Sequence, residues 1–430
     1  MITATYNLFI RVYSFAIKLA SLWNPKAKKW TEGRKKFFER LKYSLNNLPN
    51  DNGGSVIWMH CASLGEFEQG RPVIEKLKAQ HATARIFITF FSPSGYEIRK
   101  DYAGADLVCY LPLDTAANAR RFIQHIKPTL VLWIRYELWL HYLKELRKAN
   151  IPLLLLSATV YRSNSFYRPF RKKLYQYFSH LFVQDQPSLT QLEKEGLAGN
   201  ATLAGDTRFD RVIKIAESFQ PIPEVEAFCN SHKVVVAGST WMEDEEVLIH
   251  YTRVNPLMRF IIAPHEVDSE NIKNVQKEFP NSILFSAWRS QYQTENPANK
   301  AADEGSIVNT LIIDNIGMLS RLYHYADVTY VGGGFGDTGL HNILEAAVYG
   351  KPVFFGPVFH RNYEAEKMIE AGGAFSIENA LELEKELNNL MNDNNVLKKS
   401  GESARAFIYS NAGATQRILD YIYKKRLLTN

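Results

Sequence analysis

The chain has 430 residues, 46% of them hydrophobic and 22% charged, which is the composition of a folded protein and not of a disordered one. This length exceeds what one hydrophobic core accommodates and predicts two or three domains. Cys61, Cys109 and Cys229 are far apart and form no C-x-x-C pair. This spacing fits a reduced compartment and argues against a disulfide framework and a structural zinc site.

The formal net charge of +6 is concentrated at the N-terminus. Residues 1–50 hold ten Lys/Arg against two Glu, a net of +8, which leaves −2 for the other 380 residues. The body therefore carries no basic excess for binding nucleic acid. A positive head on a nearly neutral body favours contact with an anionic membrane surface.

The first predicted element is an amphipathic helix over "TYNLFIRVYSFAIKLASLW" (residues 5–23). Its polar residues form one narrow stripe at steps of four and three: Asn7, Arg11, Ser14, Lys18 and Ser21. The longest uncharged run is ten residues, whereas a spanning helix needs about 20. We therefore predict a helix that lies in a membrane interface. A helix packed on the body and a single-pass anchor are the alternatives, and the sequence has no clear signal-peptide cleavage site.

From residue 55 onward, short apolar runs alternate with amphipathic stretches, which predicts parallel strands covered by helices on both faces. The runs in the first half are "SVIWMHCA", "ARIFITFF", "LVCYLP", "PTLVLWIR", "IPLLLLSAT" and "HLFVQD". Those in the second half are "KVVVAGST", "RFIIAPH", "SILFS", "NTLIID", "DVTYVGG" and "KPVFFGP". The sequence thus predicts an α/β protein with two Rossmann-like lobes and a cleft between them, where ligands bind beyond the carboxyl ends of the strands.

Four regions follow from this pattern. They are a basic N-terminal helix region (1–50), a first lobe (51–210), a linker (211–232) and a second lobe (233–430). The last helix of the second lobe is predicted to pack back on the first lobe.

The most informative segment is "DVTYVGGGFGDTGLHNILEAAVYGKPVFFGP" (327–357), in which three glycines follow a predicted strand. Glycine lets the backbone turn tightly and approach a ligand closely, as at Gly333. "HNILEAAVYG" then predicts a helix whose N-terminus favours a phosphate and whose Glu345, one turn inside, suits ribose hydroxyls. The formal G-x-G-x-x-G match ranks low as a dehydrogenase signal, because no acidic residue closes the next strand. A tight turn before a well-packed helix is the structural alternative.

A second stretch, "SLGEF" (63–67), follows the first strand, and its Ser63 and Glu66 have the spacing of a capping box. Glu66 is therefore either a helix cap or a carboxylate held at a ligand site, and the sequence leaves both open.

Metal-binding patterns are missing, since neither a D-x-D motif nor an H-E-x-x-H motif occurs. No metal and no cofactor are predicted.

The chain resembles the 3-deoxy-D-manno-octulosonic acid (Kdo) transferases of lipopolysaccharide synthesis, which have the GT-B glycosyltransferase fold. The similarity runs in order from "CASLGEFEQGRPVI" through "FFSPSGYE", "RYELW", "LAGDTRFD", "AGST", "APH" and "DNIGML" to "GGGF" and "HNILEA". It covers about residues 45 to 375, and the N-terminal membrane helix fits as well.

The resemblance implies an inverting, metal-independent transfer of Kdo from CMP-Kdo to a hydroxyl of the lipid A precursor (lipid IVA). Glu66 would be the general base, and Glu137 and Arg208 would stabilise the transition state. The residues that would hold CMP are Pro264, His265, Gly317, Met318, Leu319, Asn342, Ile343, Leu344 and Glu345. The implied location is the cytoplasmic face of the cell inner membrane, with peripheral or monotopic attachment to its anionic surface and with no nucleic-acid partner.

Two positions depart from the family. The family usually has Lys where Arg208 stands, and it usually has a basic residue between the proline and histidine of "APH". Two other functions stay open, namely a GT-B lipid glycosyltransferase that uses a UDP- or GDP-sugar and a membrane-tethered nucleotide-sugar binding protein without catalysis. The sequence does not predict the number of Kdo units, the acyl pattern of the acceptor or the oligomeric state.

Overall fold

The chain forms two units, and each is built on its own parallel sheet. A computed structural model describes residues 2–49, 54–135, 137–160, 168–294, 308–336, 339–360 and 362–428. Unit 1 comprises residues 1–210 together with 412–430, and unit 2 comprises residues 211–411.

Unit 1 contains a seven-stranded sheet in the order β3-β2-β1-β4-β5-β6-β7, with every pair parallel. Its strands are β1 Val56–Cys61, β2 Arg85–Phe90, β3 Leu107–Tyr110, β4 Leu130–Ile134, β5 Leu153–Ala158, β6 His180–Val183 and β7 Ala201–Leu203. The central strands β4 and β5 are buried at every position. This burial on both faces is why they appear in the sequence as continuous apolar runs.

Helices cover both faces of this sheet. Those of unit 1 are α1 Ile2–Ala20, α2 Pro25–Glu32, α3 Phe37–Asn46, α4 Leu64–Gln80, α5 Pro93–Arg99, α6 Ala116–Ile126, α7 Leu140–Lys148, α8 Arg168–Tyr175 and α9 Gln186–Lys194. Helix α10, Thr207–Glu217, begins in unit 1 and ends in unit 2. The predicted linker 211–232 is therefore largely helical.

The C-terminal helix α20, Ala414–Lys424, belongs to unit 1. Its Ile418, Leu419 and Ile422 are fully buried in the core of that unit. Asp210 accepts the backbone N–H groups of Gly413 and Thr415 at 2.5 and 2.6 Å, and so stabilises the beginning of the helix.

Unit 2 repeats the architecture with a seven-stranded parallel sheet in the order β10-β11-β9-β8-β12-β13-β14. Its strands are β8 Val234–Thr240, β9 Arg259–Pro264, β10 Ser282–Leu284, β11 Thr310–Ile312, β12 Val328–Val331, β13 Val353–Phe355 and β14 Ala374–Ser376. Its helices are α11 Pro223–Cys229, α12 Met242–Val254, α13 Ser269–Glu278, α14 Phe285–Thr294, α15 Leu319–Leu322, α16 Leu344–Ala347, α17 Tyr363–Glu370, α18 Ala380–Asn392 and α19 Asn394–Ser410.

Helix α1 has two apolar faces instead of the single wide one that the sequence suggested. One face packs on unit 1, where Ile10 is buried and Tyr13 stacks on Phe91 with ring centroids 6.2 Å apart. The other is exposed over six side chains, Leu8, Phe9, Val12, Phe15, Leu19 and, just beyond the helix, Leu22. Among the described helices none has the length and apolarity needed to cross a bilayer.

Candidate functional site

The first candidate residue, Glu66, lies where β1 ends and α4 begins. It completes the predicted capping box, and its Oε2 accepts the backbone N–H of Ser63 at 3.0 Å. The Ser63 hydroxyl also contacts Oε2. Within the described residues no hydrogen bond reaches Oε1. The cap thus fixes the carboxylate with one oxygen and leaves the other able to accept a proton.

The second candidate, Glu137, follows the neighbouring strand β4 and is joined to β1 through His60. His60 is fully buried, and its Nε2 lies 3.5 Å from Glu137 Oε2. The other ring nitrogen, Nδ1, lies 2.9 Å from the Thr89 hydroxyl, which accepts the indole N–H of Trp58 at 2.9 Å. Thr89 can therefore donate its own proton to Nδ1, which leaves the ring proton of a neutral His60 on Nε2, facing Glu137.

Two tryptophans hold Glu137 as well. The Trp139 indole N–H donates to Glu137 Oε2 at 3.3 Å, and the Trp133 indole N–H donates to the Glu137 carbonyl at 2.5 Å. His60 and Trp133 are register partners in the β1–β4 pair, with rings 4.3 Å apart. The sequence does not predict the contact of His60 with Glu137, since neighbouring strands bring together residues that are distant in sequence.

The third candidate, Arg208, begins α10 beyond the carboxyl end of β7. Its Nε and Nη2 both lie 2.8 Å from Asp206 Oδ2, a forked contact that orients the guanidinium plane. The adjacent Thr207 hydroxyl donates to the carbonyl of Gln69, one turn after Glu66 on α4. The fold thereby brings the start of α10 to the helix that carries Glu66. All three candidates, two acidic and one basic, thus follow the carboxyl ends of strands in the sheet of unit 1.

In unit 2, a stack of three rings lies beyond β8 and β9. The rings of Trp241 and His265 are 4.6 Å apart, and those of His265 and His341 are 4.5 Å apart, both nearly parallel. The Trp241 indole N–H donates to His341 Nε2 at 3.1 Å. Burial, helped by the nearby His265, lowers the pKa of His341 to about 4, so this ring is neutral near pH 7 and can accept that bond. Pro264 ends β9 next to this stack.

Asp244 holds the glycine turn of unit 2 in place. Its carboxylate accepts the backbone N–H groups of Gly333 at 2.8 Å and Trp241 at 2.9 Å, and the hydroxyl of Tyr330 at 2.8 Å. Burial raises the pKa of Asp244, although these three donors oppose the shift. Gly333 has φ +89°, and an added Cβ would collide with the carbonyl of Gly339, so this position requires glycine.

The helix after the glycine turn is shorter than predicted. Helix α16 has four residues, Leu344–Ala347, and Glu345 lies in its first turn instead of one turn inside. Asn342 donates its side-chain N–H to Glu345 Oε1 at 3.1 Å and accepts the Leu344 backbone N–H at 3.3 Å. Ile343 and Leu344 are fully buried, so these two can offer a ligand only backbone atoms.

The remaining residues predicted to bind the nucleotide donor, 317–319, lie at the beginning of another short helix. Gly317 has φ +101°, a conformation that favours glycine, and Met318, which is buried, directly precedes α15, which begins at Leu319. Two positions within the predicted turn "GFGDTG", 337 and 338, lie outside the described residues. Trp241 and Asp244 were not predicted as site residues, since "GSTWMEDEE" reads in sequence as an ordinary helix start.

No group of three potential metal ligands occurs among the described residues.

A family model described as 3-deoxy-D-manno-octulosonic-acid transferase (kdotransferase) matches residues 35–211, which lie in unit 1 apart from the last residue. The chain is 28% identical to a 3-deoxy-D-manno-octulosonic acid transferase of Rickettsia typhi, over 88% of this chain and 80% of that protein. It is 26% identical to the transferase of the same name from Aquifex aeolicus, over 85% of this chain and 94% of that protein.

The solved structures that match are more distant in sequence. A glycosyltransferase from Rickettsia africae superposes with a TM-score of 0.57 at 15% identity, over 88% of this chain and 99% of that one. At this identity the likeness shows the fold alone. With the two parallel sheets it confirms the predicted α/β fold of the GT-B class with two Rossmann-like lobes, and the membrane association of α1 stays a prediction.

Proposed function

The chain belongs to the family of Kdo transferases, and from this premise we propose that it transfers Kdo from CMP-Kdo to a hydroxyl of the lipid A precursor. The observation that carries this proposal is Glu66, whose Oε2 is fixed by the helix cap while Oε1 accepts no hydrogen bond from the described residues. A carboxylate held in this way is suited to take the proton of an acceptor hydroxyl as it attacks.

In the proposed reaction, the acceptor oxygen bonds to the anomeric carbon of Kdo while Glu66 takes its proton. The bond between that carbon and the phosphate oxygen breaks, and CMP leaves as a phosphate monoester. Direct displacement of this kind inverts the anomeric configuration. Arg208, oriented by Asp206, supplies a fixed positive charge for the developing negative charge, and Glu137 faces the positive charge that develops on the sugar.

In this proposal, unit 2 binds the sugar donor CMP-Kdo. Glu345 and Asn342 form one hydrogen-bonded pair that suits ribose hydroxyls, and the ring stack of Trp241, His265 and His341 offers a flat surface for a base. The stack includes His265 of "APH", beside the place where the family usually has a basic residue. We propose that the ring stack makes the contact with the nucleobase that such a basic residue would otherwise make.

The experiment that tests donor choice compares nucleotides and sugar donors directly. CMP is expected to bind the full-length protein more tightly than UDP or GDP, and CMP-Kdo is expected to release CMP only when the lipid acceptor is present. Tighter binding of UDP or GDP would favour the other glycosyltransferase reading. CMP binding without acceptor-dependent release would favour a non-catalytic binding protein.

Glu345→Ala is expected to weaken CMP binding by about 10- to 100-fold, because a charged hydrogen bond contributes about 1.5–3 kcal/mol. Calorimetry on the full chain measures the affinity, and thermal unfolding checks that the variant is folded. Glu370→Ala, which removes an exposed acid that pairs with Lys367 in the same unit, is the matched control. An unchanged affinity for Glu345→Ala would return this residue to a structural role.

We further propose that the exposed face of α1 lies in the membrane interface. Replacing Leu8, Val12 and Phe15 together by serine is expected to release the protein from anionic vesicles, because each buried apolar side chain contributes about 1.5–3 kcal/mol. These three side chains are exposed, whereas deletion of residues 1–24 would also remove Ile10 and Tyr13 from their contacts with unit 1.

The control for this membrane experiment removes three exposed apolar side chains elsewhere, Leu257, Leu381 and Val396, all in unit 2. Sedimentation with vesicles at moderate salt measures both triple variants. If the α1 variant pellets as well as the control does, the membrane contact lies in another part of the chain.

A further inference from the structure

A cavity of about 430 Å³ opens in unit 1 beside α1. Its walls come from α1, from the end of α2 and the segment that joins it to α3, from the beginning of α3, from the chain after β3 and from the beginning of α6. None of Glu66, Glu137 and Arg208 lines it. Such a volume is within the range of small-ligand sites and exceeds what a bare inorganic anion fills.

The lining of this cavity is positively charged. Lys18, Arg34 and Lys35 line it, and no carboxylate does so among the residues that the structure describes. Ser14, Thr31 and Asn118 add uncharged polar groups. Neither lysine forms an ion pair within the described ranges, so both ammonium groups are available to a ligand.

Arg34 lines the cavity and is fixed by three backbone carbonyls. Its guanidinium donates to the carbonyls of Leu111 at 3.0 Å, Trp30 at 3.1 Å and Phe91 at 2.8 Å, and its central carbon lies 3.9 Å from the centre of the Trp30 ring. Burial lowers the pKa of Arg34 to about 10, so it stays charged near pH 7. No carboxylate of the described chain forms an ion pair with Arg34.

The half-buried guanidinium of Arg34 donates to neutral carbonyls and forms no ion pair among the described residues, so an anion from outside the chain would compensate its charge. Five N–H groups belong to a guanidinium, and the three carbonyl contacts leave donors for such an anion. The cavity therefore combines a fixed cation, two mobile cations and an aromatic wall formed by Trp30 and Phe37.

The cavity lies at the level where lipid head groups would be. On α1, Ser14 and Lys18 belong to the polar stripe, which runs between the packed face and the exposed apolar face. A helix in the interface buries its apolar face about 5–10 Å into the boundary between head groups and acyl chains. With Leu8, Val12 and Phe15 in that boundary, the polar stripe beside them meets the head groups.

We propose that this cavity binds the phosphorylated sugar head group of the lipid acceptor, with Lys18, Lys35 and Arg34 on a phosphomonoester and the aromatic wall against the sugar. This inference rests on the proposed function for the identity of the acceptor. It extends that function to residues 14–34, which the matched family model over 35–211 does not cover.

Contacts link the cavity to the proposed reaction centre. Arg34 lies over the Phe91 ring, with 5.0 Å between guanidinium carbon and ring centre, and the Phe91 ring packs at a tilt against that of Trp139, with 4.5 Å between ring centres. The Trp139 indole N–H in turn donates to Glu137. A head group bound on Arg34 is therefore held at the same edge of the sheet as Glu137.

The test compares two double variants that lose the same charge. Lys18→Ala with Lys35→Ala removes the two mobile cations of the cavity. Arg11→Ala with Lys42→Ala removes two exposed cations of α1 and α3 that do not line it. Binding of the lipid A precursor in detergent micelles is measured without any donor, both for the intact lipid and for the lipid after phosphatase treatment.

The cavity variant is expected to bind the intact lipid at least tenfold more weakly than the control variant does, and to bind the dephosphorylated lipid as weakly as the wild type does. In the transfer assay its KM for the acceptor rises, whereas its KM for CMP-Kdo does not change. An equal loss in both double variants would overturn the proposal, since surface charge alone would then explain binding. Phosphatidic acid that competes as well as the acceptor lipid would overturn the assignment of the sugar head group.

The two proposals fail separately in this design. In one outcome, the wild type binds the lipid only when it is phosphorylated, the cavity variant loses this binding, and no Kdo is transferred. This outcome would support the cavity proposal and contradict the proposed function. Kdo transfer with unchanged acceptor binding in the cavity variant would support the function and contradict the cavity.

Discussion

Glu66→Gln is expected to lower turnover by about 10²–10⁴-fold, the contribution of a positioned general base, and to leave the free energy of unfolding nearly unchanged. Glutamine suits the same capping box, and its carbonyl oxygen can accept the Ser63 N–H that Oε2 now accepts. The substitution thus separates the two readings of Glu66, because the cap survives and the proton acceptor does not.

The matched control is Glu75→Gln on the same helix. Glu75 pairs with Arg71 at 2.7 Å, so this change also neutralises one acid of α4 and is expected to cost at most about 1 kcal/mol with turnover retained. Ser63→Ala, which would remove the serine of the capping box, is a less clean control because the Ser63 hydroxyl contacts the Glu66 carboxylate. Near wild-type transfer by Glu66→Gln would end the catalytic reading.

Arg208→Ala is expected to lower kcat by about 10²–10³-fold, the usual cost of removing one preorganised stabilising group. The KM for CMP-Kdo should change little, because the proposed role of Arg208 lies in the transition state. Arg208→Lys keeps the charge and restores the residue that the family usually has, so it should retain most of the activity despite losing the fork to Asp206.

Steady-state kinetics of both Arg208 variants, with thermal unfolding as the check on folding, measures this prediction. Equal activity of the alanine and lysine variants would contradict a role for the positive charge. A rise in KM without a fall in kcat would make Arg208 a binding residue for the substrate.

Most of the fold could be predicted from the sequence because its strands are buried on both faces. Runs such as "PTLVLWIR" and "IPLLLLSAT" became β4 and β5 within a few residues of the predicted ends. The strands that were missed, β7 and β14, have three residues each and lie at the edges of their sheets. Segments such as "ATL" and "AFS" are too short to show a period.

The candidate site could be predicted only where a local motif carries it. The capping box of Glu66 is a three-residue spacing, and the structure has it as predicted. The contact between His60 and Glu137 and the stack of Trp241 on His265 join different strands and helices, and no local pattern encodes them. The short α16 was missed because "HNILEAAVYG" has good helix-forming residues, yet α16 ends at Ala347 and Gly350 adopts φ +70°.

Helix α1 shows the same limit. The predicted spacing of its polar residues was correct. The spacing could not show, however, which of its apolar side chains pack on unit 1 and which are exposed. That division depends on tertiary contacts, such as the bond of 2.5 Å from the Tyr6 hydroxyl to Asp114.

The most direct test of the account is mass spectrometry of the lipid A precursor after incubation with the full-length protein and CMP-Kdo, without added metal and with chelator present. The account predicts that the lipid gains the mass of one or more Kdo units with the wild type and gains almost none with Glu66→Gln. A lipid whose mass is unchanged by the folded, CMP-binding wild type, or that gains Kdo equally with both proteins, would contradict it.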